Sequence, residues 1–165
     1  EVIEILAEEI NEVNVSSTKI RTSIIEGNIQ KANAFLGKPF QIGGEVIQGK
    51  MLGREIGYPT INLKLTSEYK IMPLDGVYAV EILVKDYKYF GMMNIGINPT
   101  IENKSVEQKK YEVHLFDFDE DIYGRRLNLY VQHFIRPEQK FDGLEALTAQ
   151  IGKDVTAARE ILASY

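Results

Sequence analysis

Cysteine is absent from the 165 residues, which removes disulfides, thiolate zinc sites and cysteine nucleophiles from consideration. That absence fits a reducing compartment without proving one. No apolar run approaches the ~18 residues that span a bilayer, and no secretory signal pattern occurs. A soluble cytoplasmic protein without a membrane partner is the expectation. A basic stripe is missing too: net charge is -5, and Lys109–Lys110 and Arg125–Arg126 are the tightest basic pairs. A nucleic-acid partner is therefore not expected. No Walker A sequence, internal repeat or low-complexity tract is present. The two histidines, His114 and His133, have no partner spacing for a metal, so each reads as an ordinary strand residue.

What is present is enough for a core: 44% hydrophobic residues against 26% charged, in a length that suits one domain or one domain with an appendage. The chain opens on Glu1 rather than Met, and a fragment or processed form is the expectation.

Residues 1–37 and 38–165 differ in pattern. Val2–Leu6 is a short apolar run of undecided type. Ser16-Ser17-Thr18 predicts a helix start, and Gly27-Asn28 ends that helix and caps a second carrying Ile29, Ala32, Phe35 and Leu36. Gly37-Lys38-Pro39 breaks the pattern and predicts the boundary. Beyond it the period is two. Val77–Val84 and Tyr87–Ile95 read as a hairpin joined by Lys85-Asp86. Tyr111–Phe118 alternates, and Leu127–Ile135 places Leu127, Leu129, Val131, His133 and Ile135 on one side. Short strands with glycine turns and no helices between them predict a closed antiparallel barrel. At the end, Asp142 three residues before Glu145 reads as a capping box. Leu144, Leu147, Ile151, Val155, Ala158 and Leu162 form an apolar stripe, which Gly152 is expected to split, with Asp154 capping the second half.

Chemistry concentrates in Gly49–Asn62, GKMLGREIGYPTIN. Gly49, Gly53 and Gly57 let backbone pass close to a ligand. Thr60 and Asn62, two apart on extended chain, turn their oxygens to one side. A glycine loop followed by two neutral oxygen ligands can hold a phosphate–magnesium pair; a glycine-rich turn capped by Thr and Asn is the plainer alternative. Glu112 shares a strand face with His114 and Phe116, and a carboxylate held against an apolar barrel can take a proton from a hydroxyl. A solvent-facing strand Glu is the alternative. Arg136 ends a strand just before Pro137, where it would meet a phosphate or an aromatic ligand, or pair with Glu138 at the surface. The acidic run Asp117–Asp121 lacks the spacing of a calcium loop and reads as a solvated turn.

Five blocks in this order resemble riboflavin kinase, the flavokinase module of bacterial bifunctional FAD synthetases: GKMLGREIGYPTINL (49–63), PLDGVYAV (73–80), MNIGINPT (93–100), YEVHLFDFDEDIYG (111–124) and FIRPEQKFDGLEAL (134–147). The resemblance implies a mainly β fold, a six-stranded antiparallel Greek-key barrel with a C-terminal helix, preceded by a short helical remnant. It implies transfer of the ATP γ-phosphate to the 5′-hydroxyl of riboflavin, giving FMN and ADP, with Mg²⁺ as cofactor. On that resemblance Glu112 is the catalytic base, and Gly49, Lys50, Gly53, Gly57, Tyr58, Pro59, Thr60 and Asn62 bind nucleotide. Thr60 and Asn62 are the Mg²⁺ ligands, with Ile61 where Ala is common. Arg136, Phe134 and Asn98 are the flavin contacts.

Val15–Arg21, reading VSSTKIR, resembles the S-S-T-x-I-R motif near the end of the FMN adenylyltransferase domain of the same enzymes. Residues 1–37 would be the tail of that domain and 38–165 the kinase. The H-x-G-H segment of the adenylyltransferase is absent, so FAD synthesis by this chain alone is not expected. The competing readings are a non-catalytic flavin- or nucleotide-binding barrel, disfavoured by the presence of Glu112, Thr60 and Asn62, and a nucleic-acid-binding barrel, disfavoured by the acidic balance.

Overall fold

The computed structural model describes residues 9–10, 13–49, 52–67, 70–97 and 109–165. The Val2–Leu6 run, Lys50 and Asn98 lie outside them.

A two-stranded sheet, β1 (Glu9–Ile10) with β2 (Val13–Asn14), precedes two helices. Helix α1 (Ser17–Ile25) starts where the Ser16 side chain accepts from the Lys19 N–H. Asn28 caps α2 (Ile29–Leu36) in the same way, and α2 stops at Gly37, which holds φ 66°. Only glycine reaches that left-handed backbone without strain, hence the sharp end.

Six strands then close a barrel: β3 (Phe40–Ile47), β4 (Ile61–Leu65), β5 (Gly76–Val84), β6 (Tyr87–Ile97), β7 (Lys109–Leu115) and β8 (Arg126–Pro137). Their order around the wall is β3-β4-β7-β6-β5-β8, all pairs antiparallel. The β5–β6 hairpin turns on Lys85 and Asp86, both at positive φ, as a two-residue loop between twisted strands requires. A short helix, α3 (Leu52–Glu55), interrupts the β3–β4 connection, and α4 (Leu144–Leu162) follows β8.

The wall separates two apolar clusters. Inside lie Ile42, Val46, Tyr78, Val80, Ile82, Met93, Ile95, Val113, Leu129 and Val131, joined by Ile24, Ile29 and Ala32 from the helical pair. Helix α2 is thus part of the barrel's own core. Its Asn33 also donates to the Val131 carbonyl (2.9 Å) and accepts from the Phe40 N–H (2.8 Å). Outside, Val77, Ala79, Met92 and Phe116 pack against Ala158 and Leu162 of α4.

Three expectations need correction. The alternation of β8 does not hold to Ile135. Opposite β5, Val80 pairs with Val131 but Ala79 with His133, and Tyr78 with Phe134 but Val77 with Arg136. Gln132 and Ile135 are therefore extra residues, and each bulge switches the side chains that follow to the other face. His133 stands outside opposite Ala79, Ile135 joins the outer cluster, and Phe134 turns inward onto Tyr78 (ring centroids 5.2 Å). Second, α4 runs unbroken through Gly152, and Asp154 caps nothing: it is buried within the helix. Third, the N-cap is Gly143 with no side-chain cap bond, so Asp142 and Glu145 form no capping box, and Leu144 is exposed. Among the described residues no helix is long and apolar enough to cross a membrane.

Candidate active site

Cross-strand register builds the site before any side chain is considered. Asn62 of β4 pairs with Glu112 of β7, Glu112 with Asn94 of β6, Asn94 with Val77 of β5, and Val77 with Arg136 of β8. Directly paired residues present their side chains to the same face. Since Val77 belongs to the outer cluster, this row of five runs across the outside of the barrel, beneath α4.

A cavity of about 320 Å³ opens between that row and the helix. Glu112, Asn94, Val77 and Arg136 form its floor, Leu147 and Ile151 of α4 its roof, and Gly53, Tyr58 and Thr60 one end. Helix α4 can stand off there because its apolar contacts concentrate in its second half, where Ala158 and Leu162 are buried.

The loop is placed by small residues and by His114. Gly49 lies so close to the Asn62 carboxamide that any side chain would collide with it, and Asn62 is only 6% exposed. Gly53 likewise leaves no room between itself and the Tyr58 carbonyl, with the Thr60 hydroxyl beside it. Gly57 turns at φ 82°, and the Tyr58 N–H returns to the Gly53 carbonyl at 2.8 Å. His114 Nδ1 bonds the Pro59 carbonyl at 2.8 Å, and its ring meets Tyr58 edge-on at 5.6 Å. Burial pushes the His114 imidazole below its ordinary pKa, an effect that the Pro59 bond opposes and the Arg159 charge reinforces. The Tyr58 hydroxyl reaches α4 at Gly152, where a β-carbon would stand 3.2 Å from it. A mid-helix glycine costs about 1 kcal/mol relative to alanine; here it clears the spot where loop meets helix.

Glu112 is held from one side. Lys110 Nζ lies 2.7 Å from its Oε1, both side chains about one-third exposed. Glu138 brings a second carboxylate to the cavity, seated against Gly96, which has no side chain to obstruct it. At the far end Arg136 does not pair with Glu138. Its Nε donates to Asp154 Oδ1 and Oδ2 (2.9 and 3.0 Å), its Nη2 to Oδ2 (2.7 Å) and its Nη1 to the Pro137 carbonyl (2.9 Å). Gln150 donates to the same carboxylate at 2.9 Å, and the guanidinium carbon lies 5.7 Å from the centre of the Phe141 ring. Asp154 is 3% and Arg136 17% exposed, so this fork ties β8 to α4 from a largely dry position.

Gly53, Tyr58, Thr60, Glu112 and Arg136 therefore converge on one cavity, with Asn62 beside Glu112 under Gly49 and Pro59 fixed through its carbonyl. Gly57 supplies the turn and points at open space. Phe134 is not brought there, because the bulge at Gln132 turns it inward. Asn94, Lys110, Glu138 and Asp154 were not singled out for this site from sequence. Register alone makes neighbours of Glu112 and Asn94, though Lys110, two residues from Glu112 on a strand, was within reach of a period-two argument. The Thr60 hydroxyl and Asn62 carboxamide are hard neutral oxygens, a donor set that suits Mg²⁺ when phosphate oxygens complete it. No cluster of three or more His, Asp or Glu side chains assembles among the described residues.

A family model described as riboflavin kinase matches residues 36–162. The bifunctional riboflavin kinase/FMN adenylyltransferase of Bacillus subtilis is 45% identical over 140 residues, covering 85% of this chain and 44% of the relative. That of Escherichia coli K12 is 42% identical over 149 residues, covering 90% and 46%. Among solved structures, a Streptococcus pneumoniae chain described as a macrolide-efflux protein superposes with TM-score 0.84 at 38% identity, over 93% of this chain and 49% of that one. Riboflavin kinase from Trypanosoma brucei (TM-score 0.53, 24% identity, 76% and 80% coverage) shares the fold. The chain thus spans about half the length of the bifunctional relatives it matches.

Proposed function

This chain belongs to the riboflavin kinase family, and from that premise we propose that it transfers the γ-phosphate of ATP to the 5′-hydroxyl of riboflavin, giving FMN and ADP. The observation that carries the proposal is the Asn62–Glu112 pairing, which sets a carboxylate beside the Asn62 carboxamide at a cavity that Glu112 and Thr60 line and that is large enough for an organic acceptor. Phosphoryl transfer asks a protein mainly for in-line positioning and charge neutralisation.

Glu112 receives the proton of the attacking hydroxyl. Lys110 occupies its Oε1 and so holds the carboxylate, leaving Oε2 without that partner to take the proton. The glycine loop binds the ATP phosphates through backbone N–H groups free of side-chain obstruction, and Lys50 remains a candidate contact beyond the described residues. Thr60 and Asn62 would hold Mg²⁺, which neutralises phosphate charge when bound. The flavin ring lies against Val77, Met92 and Ile151, with Arg136 at its edge; Asn98 remains a candidate contact beyond the described residues. Residues 38–165 are the kinase in this reading. Residues 1–37 are the end of an adenylyltransferase domain in a longer parent, acting in the cytoplasm where ATP and Mg²⁺ are available.

Incubation with riboflavin, ATP and Mg²⁺, followed by chromatography of the flavins, tests the proposal. FMN is the expected product, and no FAD is expected because the chain has no H-x-G-H segment. Riboflavin left untouched by folded protein would overturn it in favour of a non-catalytic flavin-binding barrel.

A further inference from the structure

Asn94 carries more than the family reading assigns it. It is the polar side chain that β6 gives to the cavity, between Met92 two residues before and the bare Gly96 two residues after on the same face. It is half-buried, and its carboxamide takes no hydrogen bond from the protein among the described residues. A carboxamide left without a protein partner in a cavity offers both donor and acceptor to whatever enters.

Its place in the row decides what that is. Neighbouring strands lie about 4.8 Å apart, so Asn62, Glu112 and Asn94 follow one another at roughly that interval. If the reacting hydroxyl sits at Glu112 with the phosphate toward Asn62, Asn94 faces the acceptor one step back from the reacting end. A polyol chain covers that interval within a few carbons, and a hydroxyl both donates and accepts, matching the carboxamide. Past Asn94 the row continues into the apolar Val77, with Leu147 and Ile151 also lining the cavity, before it ends at Arg136. Along the row, Asn94 is thus the last hydrogen-bonding side chain before the apolar Val77.

We propose that Asn94 is a specificity-determining residue that hydrogen-bonds a polyol hydroxyl of the acceptor next to the phosphorylated end, and so selects acceptors whose polyol continues inward from the reacting carbon. This rests on the kinase reading above. A site that hydrogen-bonds a substrate hydroxyl rejects the analogue lacking it, because the protein group is then left unpaired.

The test compares wild type with Asn94→Ala on riboflavin and on riboflavin analogues deoxygenated at the 4′ or 3′ carbon. Wild type should prefer riboflavin over at least one analogue by about 10- to 100-fold in kcat/KM, and Asn94→Ala should reduce that preference to about threefold or less. The melting temperature should stay within a degree or two, since the side chain bonds nothing in the free protein. If the variant loses its fold, Asn94→Ser takes its place in the same comparison. Equal losses on riboflavin and both analogues, or no loss, would overturn the assignment. A wild type that phosphorylates nothing would overturn the kinase reading alone. The same pairwise comparison by calorimetric binding would then still decide Asn94.

Discussion

Helices α2 and α4 both pack on the barrel, and they do opposite things. Helix α2 is sealed in: Ile29 and Ala32 are fully buried in the interior cluster, and Asn33 stitches β8 to the start of β3 through neutral hydrogen bonds. Helix α4 is half attached. Its second half packs through Ala158 and Leu162, while its first half overhangs a cavity and is retained by Arg136 and Asp154. Apolar contact closes space because any gap forfeits it. A forked ion pair instead fixes two elements at a set separation and lets a cleft remain between them. The end that is stitched shut stabilises the barrel, and the side held apart by charge has room for chemistry.

Substitutions can break that contrast. The largest effect belongs to the cavity floor. Glu112→Gln should lower kcat by about 10²-fold or more with riboflavin affinity nearly unchanged, measured by steady-state kinetics and calorimetry. Glu138→Gln, at a second carboxylate that lines the cavity, should stay within about threefold; reversed magnitudes would make Glu138 the base.

Next come the two attachments. Asp154→Ala strands a mostly buried guanidinium and should cost about 3–5 kcal/mol in urea unfolding, together with a loss of activity. Ile29→Ala should cost about 2–5 kcal/mol by cavity formation yet leave kcat and KM close to wild type at low temperature. If Ile29→Ala weakened riboflavin binding as much as Asp154→Ala, the two ends would not be separable.

A smaller effect is expected at Thr60. Thr60→Ala should raise the Mg²⁺ concentration for half-maximal activity several-fold, since one metal oxygen is lost; an unchanged Mg²⁺ titration would remove Thr60 as a ligand.

The smallest is set by pH. Burial holds the folded-state pKa of His114 below the unfolded value of about 6.5. As pH falls through that range the unfolded chain takes the proton first. The stability that neutral His114 provides is therefore complete above pH ~6.5 and declines below it until the folded form protonates as well. Thermal melts from pH 7.5 to 5 should show this decline, flattened in His114→Gln.

Much of the architecture was readable wherever a local rule sufficed. Lys85-Asp86 between two β-rich runs marked the hairpin, and Ser16 and Asn28 marked two helix starts, because turn and cap chemistry act within a few residues. The failures needed distant partners. Nothing near Gly152 shows that its bareness serves Tyr58, so it reads as a helix break. Asp154 reads as a cap until Arg136 is known to face it. Glu112, Thr60 and Arg136 could be picked out by type and position, but Asn94 becomes their neighbour only when β6 and β7 align.

The two bulges of β8 have a consequence of parity. Each inserted residue inverts which side chains face the interior, and two inversions restore the original sense. Between Val131 and Arg136 the strand spends its middle stretch out of phase, long enough to send Phe134 into the core and His133 out, and then returns to step. Arg136 consequently reaches the outer face as it would on an unbulged strand, but two residues later. Deleting either Gln132 or Ile135 would leave Arg136 opposite Val77 and still outward, whereas smoothing one bulge at unchanged chain length would slip the register by one and turn the arginine toward the barrel interior. At this chain length the placement of one guanidinium over the cavity therefore depends on an even number of irregularities.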